Sequence, residues 1–352
     1  MHVSRNHIVN ANGHVVRLIG FNSSGAEYAC TDGFGIFDTP SPRTVSPSIV
    51  AAMARWHGAN VVRVPLDEQC WLGIGGVKKQ YAGAAYRGAI SHYVAELNAH
   101  GFAVVLDLQN TAPGNEKSLN QEPMPDAHSI TFWKQVARRF RGNRSVLFDL
   151  FNEPWPDNSS DSATAWKCWR DGGCRLHSTN GRETYTAVGY NQLIKSVRST
   201  GAHNIVMAGG LEYAESLDQW LKYEPTDRDH ELIASTHIYS FNQCSTLRCY
   251  NGALAKVARH VPLYIGEFGP DLTVGYSNRL DQNCPSKDVG HTGFGRTVLS
   301  WAKRHGASWS AWSWNPWGDC WSLVTGFKGA PTRIWGELVK RELSDERQSA
   351  HA

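Results

Sequence analysis

Eight short apolar, β-branched segments recur along this chain of 352 residues and alternate with amphipathic ones. They are Arg17 to Phe21, Asn60 to Val64, Ala103 to Leu108, Ser145 to Leu150, Asn204 to Ala208, Leu232 to His237, Pro262 to Glu267 and Ser308 to Trp314. A strand that is apolar along nearly its whole length is buried on both faces, as in a parallel sheet covered by crossover helices. Helical patterns lie where the crossovers need them. They run from Pro47 to His57, with Ser46 as N-cap and Pro47 at the first helical position, and from Ala84 to His100, stopped by Gly101. Others are Ser129 to Phe140, Glu183 to Thr200, Gly252 to His260, Thr292 to His305 and Thr332 to Leu343, with only Leu217 to Leu221 after the fifth strand. Eight such units in this length fit a closed (β/α)8 TIM barrel. The rival, an open doubly wound sheet, calls for a phosphate-binding glycine loop, and neither G-x-G-x-x-G after the first strand nor G-x-x-x-x-G-K-[ST] occurs.

No composition break long enough to be a linker interrupts the pattern, so residues 1–352 read as a single catalytic domain. Residues 1–16 read as an N-terminal β-hairpin capping the barrel bottom, with arms Val3 to Val9 and His14 to Val16 around Asn10-Ala11-Asn12-Gly13. The polar tail 344–352 is expected to fray. Hydrophobic residues make up 41% and charged ones 19%, which excludes disorder, and a net charge of +3 implies no nucleic-acid partner. The Arg138, Arg139, Arg141 and Arg144 cluster closes a predicted helix, where basic side chains complement the dipole. No apolar stretch reaches the ~18 residues of a membrane span. The start, Met1-His2-Val3-Ser4, lacks a signal peptide's regions, as does a secreted chain whose signal has been removed.

Cysteine usage favours secretion. The eight cysteines include two close pairs, Cys168 with Cys174 and Cys244 with Cys249, and neither has zinc or redox spacing. Eight free thiols in a cytosolic enzyme are the alternative. All eight fall after strands, on one end of the expected barrel, and loops after adjacent strands are neighbours. Cys30 should therefore pair with Cys70 and Cys284 with Cys320, beside the two local pairs, bracing long βα loops.

The chemistry is carried by two phrases, Phe151-Asn152-Glu153-Pro154 after the fourth apolar run and Gly266-Glu267-Phe268-Gly269 after the seventh. Each places a glutamate at the C-terminal end of a strand, where barrel enzymes assemble their sites. Two carboxylates facing one cleft are the equipment for glycosidic bond cleavage. Other strand ends read Val61-Val62-Arg63-Val64-Pro65, His237-Ile238-Tyr239 and Trp312-Ser313-Trp314-Asn315.

In these phrases, taken in order, the chain resembles the family 5 glycoside hydrolases, cellulase-type members of the clan of retaining (β/α)8 glycosidases. The resemblance spans nearly the whole chain. It implies Glu153 as the acid/base and Glu267 as the nucleophile. It also implies Arg63 orienting Glu267, Asn152 holding the sugar 2-hydroxyl, Tyr239 donating to Glu267, His237 near Glu153, and Trp314 as the platform under the reacting sugar. No cofactor and no metal are implied, and the expected partner of a monomeric chain is a carbohydrate. The residues argue the same way: Pro154 and Trp155 place Glu153 for desolvation, as a proton donor needs, while Arg63 favours an ionised Glu267.

One departure bears on substrate. The family's third strand commonly ends L-D-L-H-W, whereas this chain reads Leu106-Asp107-Leu108-Gln109-Asn110. Gln109 hydrogen-bonds but carries no proton, and Asn110 removes an aromatic wall. Endoglucanase-like action on a β-linked glycan is thus the leading expectation, with exo-action on a non-glucose or furanose sugar as the alternative. From another class, an inactive carbohydrate-binding barrel is expected only if a glutamate were lost. A metal-dependent hydrolase lacks clustered ligands at the strand ends, and no G-x-S-x-G elbow marks a serine hydrolase. Among fourteen tryptophans, Trp71, Trp155, Trp166, Trp169, Trp317 and Trp321 follow strands, and Trp71, Trp155 and Trp317 are the candidate subsite aromatics. Glu27, Tyr28, Asp32, Glu212 and Asp319 stand at the same rim without an assigned role.

Overall fold

The computed structural model describes residues 1–114, 117, 121–158, 160–270 and 292–351. Three short antiparallel strands open it: β1 His2–Ser4, β2 His7–Val9 and β3 Val15–Val16. The barrel begins with β4 Ile19–Asn22, β5 Val61–Asp67, β6 Ala103–Asn110 and β7 Val146–Asp149. A two-stranded ribbon follows, β8 Arg175–His177 with β9 Thr184–Thr186. The barrel resumes with β10 Val206–Gly209, β11 Leu232–Ile238, β12 Leu263–Phe268 and β13 Ser308–Ala311. β13 pairs back onto β4 and β7 pairs with β10, so eight parallel strands close in the order of a (β/α)8 barrel.

Alternation along these strands sorts two apolar layers. Outward residues such as Phe21, Val62, Val104, Phe148 and Ile265 pack under the helices, while Leu18, Val61, Val105, Leu147, Met207, Ile233 and Tyr264 fill the barrel's lower interior. Ile8 joins that inner cluster and closes its floor. The N-terminal segment has three strands rather than two arms, because the chain turns at Arg5 in the left-handed region (φ 56) and splits the first arm.

Other differences have local causes. The segment expected to be helical from Glu183 begins as β9, where Thr184-Tyr185-Thr186 alternates against β8, and the helix is Tyr190–Arg198. After β10 the expected helix reduces to a 3-10 turn, Trp220–Lys222. The tail does not fray at Ser344: the last helix, Trp335–His351, runs through it, and Glu346 pairs with Arg17 at 2.7 Å. The expected basic cluster is spent on structure, with Arg144 on Glu231 at 2.6 Å and Arg141 on the Thr200 carbonyl at 3.0 Å.

Disulfides join Cys30 to Cys70, Cys168 to Cys174 and Cys244 to Cys249, with Cα separations of 5.9, 5.6 and 5.4 Å. The expected pairing of Cys284 with Cys320 lies outside the described residues, since Cys284 is not among them. No helix among the described residues is long and apolar enough to cross a membrane.

Gly58 turns the chain into β5 at φ 98, and a Cβ there would collide with the Leu343 carbonyl of the last helix. Gly58→Ala is expected to destabilise the barrel by about 2–4 kcal/mol through strain and lost helix docking. Urea denaturation followed by far-UV circular dichroism measures this, and an unchanged midpoint would contradict it.

Candidate active site

Arg63 sits fully buried on β5 at the centre of the barrel mouth. Its Nη1 donates to Asn22 Oδ1 at 3.1 Å and to Glu267 Oε1 at 2.9 Å, and its Nη2 donates to Asn152 Oδ1 at 2.8 Å. Its Nε donates to Asp149 Oδ2 at 3.2 Å, and Asp107 Oδ2 lies 3.1 Å from Nη2. Burial opposes the arginine's charge, but Asp107, Asp149 and Glu267 outweigh it and hold the guanidinium protonated. The same burial pushes Asp107 well up and Asp149 to about 6 despite Arg63.

Glu267 reaches this network through a change of register. Ile265 and Phe268 both pack in the outer layer, three positions apart, and the β11–β12 pairing shifts so that Thr236 faces Ile265 but His237 faces Glu267. The extra residue, Gly266, turns Glu267 into the mouth, as bulges next to active sites do. A Cβ on Gly266 would press on the His237 ring at 2.9 Å from Nε2, so glycine also makes room for that imidazole. Tyr239 donates to Glu267 Oε2 at 2.8 Å, and burial followed by Glu267's charge keeps its phenol protonated.

Glu153 meets a different neighbour. His237 Nδ1 lies 2.8 Å from Glu153 Oε1 and 3.8 Å from Glu267 Oε2. Burial lowers the imidazole to about 4, against Glu267's charge and with Arg63's, so the ring is neutral. Burial raises Glu153 to about 7, with Arg63 and a hydrogen bond from Gln121 pulling the other way. One carboxyl oxygen of each glutamate and a nitrogen of His237 all lie within 4.8 Å of one another. The Nδ2 of Asn152 and Oε1 of Gln109 are buried without a partner, so each has capacity for a ligand.

Not every expected residue joins the mouth. Trp314 is 1% exposed and packs in the outer layer against Phe21 and Trp56, with ring centroids 4.6 and 4.7 Å away, so it is no platform. β13 ends at Ala311, with Ser308 and Ser310 inward and Trp309 and Ala311 outward. The alternation puts the half-buried Trp312 at the mouth instead. Trp71 is fully buried between Tyr86 and Phe132, and Trp166 and Trp169 are likewise core residues. Asn110 supports the rim: its Nδ2 donates to the Glu27 carbonyl at 2.9 Å.

Two candidate aromatics do stand at the rim. Trp155 stacks on Tyr213 at 5.5 Å, where Glu212, Tyr213 and Ala214 hold φ of 54, 61 and 63. Three successive left-handed residues are backbone strain of the sort found at ligand clamps. Trp317 is 37% exposed and donates to Asp38, which also accepts from Tyr28 at 2.6 Å. Sequence reasoning missed Trp312, Tyr213, Asn22, Asp107, Asp149 and Phe241, the last stacked on Tyr239 at 5.2 Å. The two aspartates left a signal, each being a lone carboxylate inside an apolar strand.

An eight-stranded barrel with two carboxyls facing across its mouth is the frame of the barrel glycosidases. The family model of cellulase, glycosyl hydrolase family 5, matches residues 9–318, and the chain belongs to that family. Endoglucanase A of Butyrivibrio fibrisolvens is 23% identical over 76% of this chain and 51% of its own length. The manganese dependent endoglucanase Eg5A of Phanerodontia chrysosporium is 25% identical over 58% of this chain and 46% of its own. This chain thus spans about half the length of the curated relatives it matches. Among solved structures, the β-glucanase SdGluc5_26A of Saccharophagus degradans, in complex with cellotetraose, shares the fold with a TM-score of 0.70 at 16% identity, covering 98% of this chain and 92% of that one.

The two tryptophans should separate by assay. Trp314→Ala is expected to cost about 3–5 kcal/mol in stability by leaving a cavity. Trp312→Ala should keep the unfolding midpoint and instead weaken binding of a carbohydrate ligand, seen by tryptophan fluorescence titration. The reverse pattern would return the platform to Trp314.

Proposed function

We propose that this chain is a retaining glycoside hydrolase acting on a β-linked glucan, with Glu267 as nucleophile and Glu153 as acid/base. The observation that carries the reading is the close approach of the two carboxyls, oxygens within 4.8 Å, in opposite electrostatic settings. A gap near ~5 Å leaves no room for the water of an inverting enzyme. Glu267 accepts hydrogen bonds from the Arg63 guanidinium at 2.9 Å and from the Tyr239 hydroxyl at 2.8 Å. Glu153 faces a neutral imidazole and keeps its proton to about pH 7.

In the first step a Glu267 oxygen attacks the anomeric carbon while Glu153 gives its proton to the departing glycosidic oxygen. The bond to the leaving sugar breaks with its electron pair on that oxygen, and a glycosyl ester of Glu267 forms. In the second step Glu153 takes a proton from water, the hydroxide oxygen bonds to the anomeric carbon, and the ester releases Glu267. Asn152, held through Oδ1 by Arg63, has its amide free for the 2-hydroxyl. The endoglucanase relatives and the cellotetraose held by the β-glucanase neighbour support a cello-oligosaccharide as first substrate. The buried, unpartnered Gln109 Oε1 favours a second reading in which the reacting subsite accepts another sugar, tested by a screen of aryl β-glycosides and furanosides. Three disulfides support secretion of this chain.

Product followed by proton NMR during turnover should first appear with retained anomeric configuration; inverted product would sink the reading. Glu267→Ala is expected to lose turnover on every substrate. Glu153→Ala should keep glycosylation of aryl glycosides with good leaving groups and gain activity with azide, and equal, unrescued losses would mean the roles are wrong. An inactive binding barrel would show no turnover of any aryl glycoside in the parent chain.

The pH dependence follows from Glu153's position. Its carboxyl titrates at about 7 instead of 4.5, so the proton donor is intact below that value and lost above it. kcat/KM should therefore fall tenfold per pH unit on the alkaline side of about 7. In Glu153→Ala, assayed on an activated aryl glycoside, that limb should vanish.

A further inference from the structure

We propose that Glu68, Asp126 and His128, with the main-chain carbonyl of Ala112, form a divalent-cation site that fastens the loop following β6. One ligand atom from each of the three side chains lies within 4.8 Å of the other two. His128 Nδ1 is 3.6 Å from Asp126 Oδ1, 4.0 Å from Glu68 Oε1 and 3.3 Å from the Ala112 oxygen. An ion held at about 2.1–2.2 Å by nitrogen and oxygen ligands sets them roughly 3–4.4 Å apart, so these atoms already span the edges of such a shell.

The charge balance points the same way. Glu68 is fully buried and Asp126 is 3% exposed, and among the described residues neither pairs with a lysine or arginine. Asp126 Oδ2 is buried and receives no basic partner, and a carboxyl–carboxyl hydrogen bond joins Asp126 to Glu68. Their other contacts are neutral and include Ser129 Oγ to Glu68 Oε2 at 2.6 Å, Ala112 N to Glu68 Oε1 at 3.3 Å, His128 N to Asp126 Oδ1 at 2.6 Å and the Ser129 main-chain N–H of the helix cap to the Asp126 carboxyl. Buried carboxylates are normally paired or bound to metal, since leaving two uncompensated is expensive. The donor set of two carboxylates, one imidazole and one carbonyl suits manganese or zinc. His128's side chain is 35% exposed, which leaves one side of the site open for the ion and its waters.

The position gives the ion a use. Glu68 opens the short helix Glu68–Leu72 that follows β5, whereas Ala112 and Asp126 bracket the loop that leaves Gln109 and contains Gln121, the residue hydrogen-bonded to Glu153. Neither this cluster nor a metal was expected from the sequence, because its histidine lies in a helix's first turn and not at a strand end.

The test is manganese titration of the chelator-stripped chain, followed by calorimetry and by loss of the free-ion electron paramagnetic resonance signal. Saturable binding of a single ion is expected, with a rise in the thermal midpoint. His128→Ala, at a half-exposed position, and Glu68→Gln should each weaken binding by about tenfold or more. Glu153→Gln and Glu267→Gln, which change the other carboxyl and imidazole cluster, should leave it unchanged. Absence of saturable binding of manganese, zinc and calcium would overturn the site and leave Glu68 and Asp126 as a carboxyl pair sharing a proton. Binding that survives in both His128→Ala and Glu68→Gln, or is lost in Glu267→Gln, would overturn it equally.

Discussion

A single buried guanidinium holds the mouth of this barrel together. Arg63 contacts Asn22 on β4, Asp107 on β6, Asp149 and Asn152 at the end of β7, and Glu267 on β12, so one side chain ties its own strand to four others. Taking an arginine out of water costs several kcal/mol, which only good geometry and opposite charge offset. Here the offset is supplied by groups that all face inward at the same height of the barrel. Removing the cation would leave three carboxyls buried against one another. Stability and preorganisation are the same set of contacts in this molecule.

From that centre the two glutamates diverge. Glu267 receives two donors, one of them charged, whereas Glu153 lies against a neutral histidine. The histidine is neutral because it is buried, and it stays close to both carboxyls because a glycine occupies position 266. A chemical difference between two identical side chains is therefore produced by the identities of their neighbours and by one bulge.

The rim solves a different problem. Segments after the strands bury residues such as Trp71, Trp166 and Trp169 beneath them, and covalent and polar ties add to that packing at the rim. The Cys30–Cys70 bridge joins the segment just after Glu27 to the one just after Glu68, and such a crosslink is worth about 2–4 kcal/mol against the unfolded chain. Asp38 gathers Tyr28 and Trp317 on one side of the mouth, and the Tyr213 amide donates to the Pro154 carbonyl on the other at 3.2 Å. Aromatic faces are thereby held at the surface, where a sugar ring can stack.

By itself the sequence determined the barrel, since eight fully apolar strands separated by amphipathic segments admit few other arrangements. It also placed Glu153, Glu267, Arg63, His237 and Tyr239 at the mouth, because a residue at a strand's C-terminal end is positioned by local pattern alone. What it left undecided depends on register and side-chain direction. Trp314 and Trp312 are two residues apart, and only the observed end of β13 shows which faces outward. Trp71, Trp166 and Trp169 read as loop aromatics until helices close over them. The helical fate of the tail was decided by the docking of the last helix and the Arg17–Glu346 pair, contacts far apart in sequence. Likewise Asn22, Asp107 and Asp149 acquire meaning only as neighbours of Arg63, because closure of the barrel brings residues from separate strands within hydrogen-bond reach of one guanidinium.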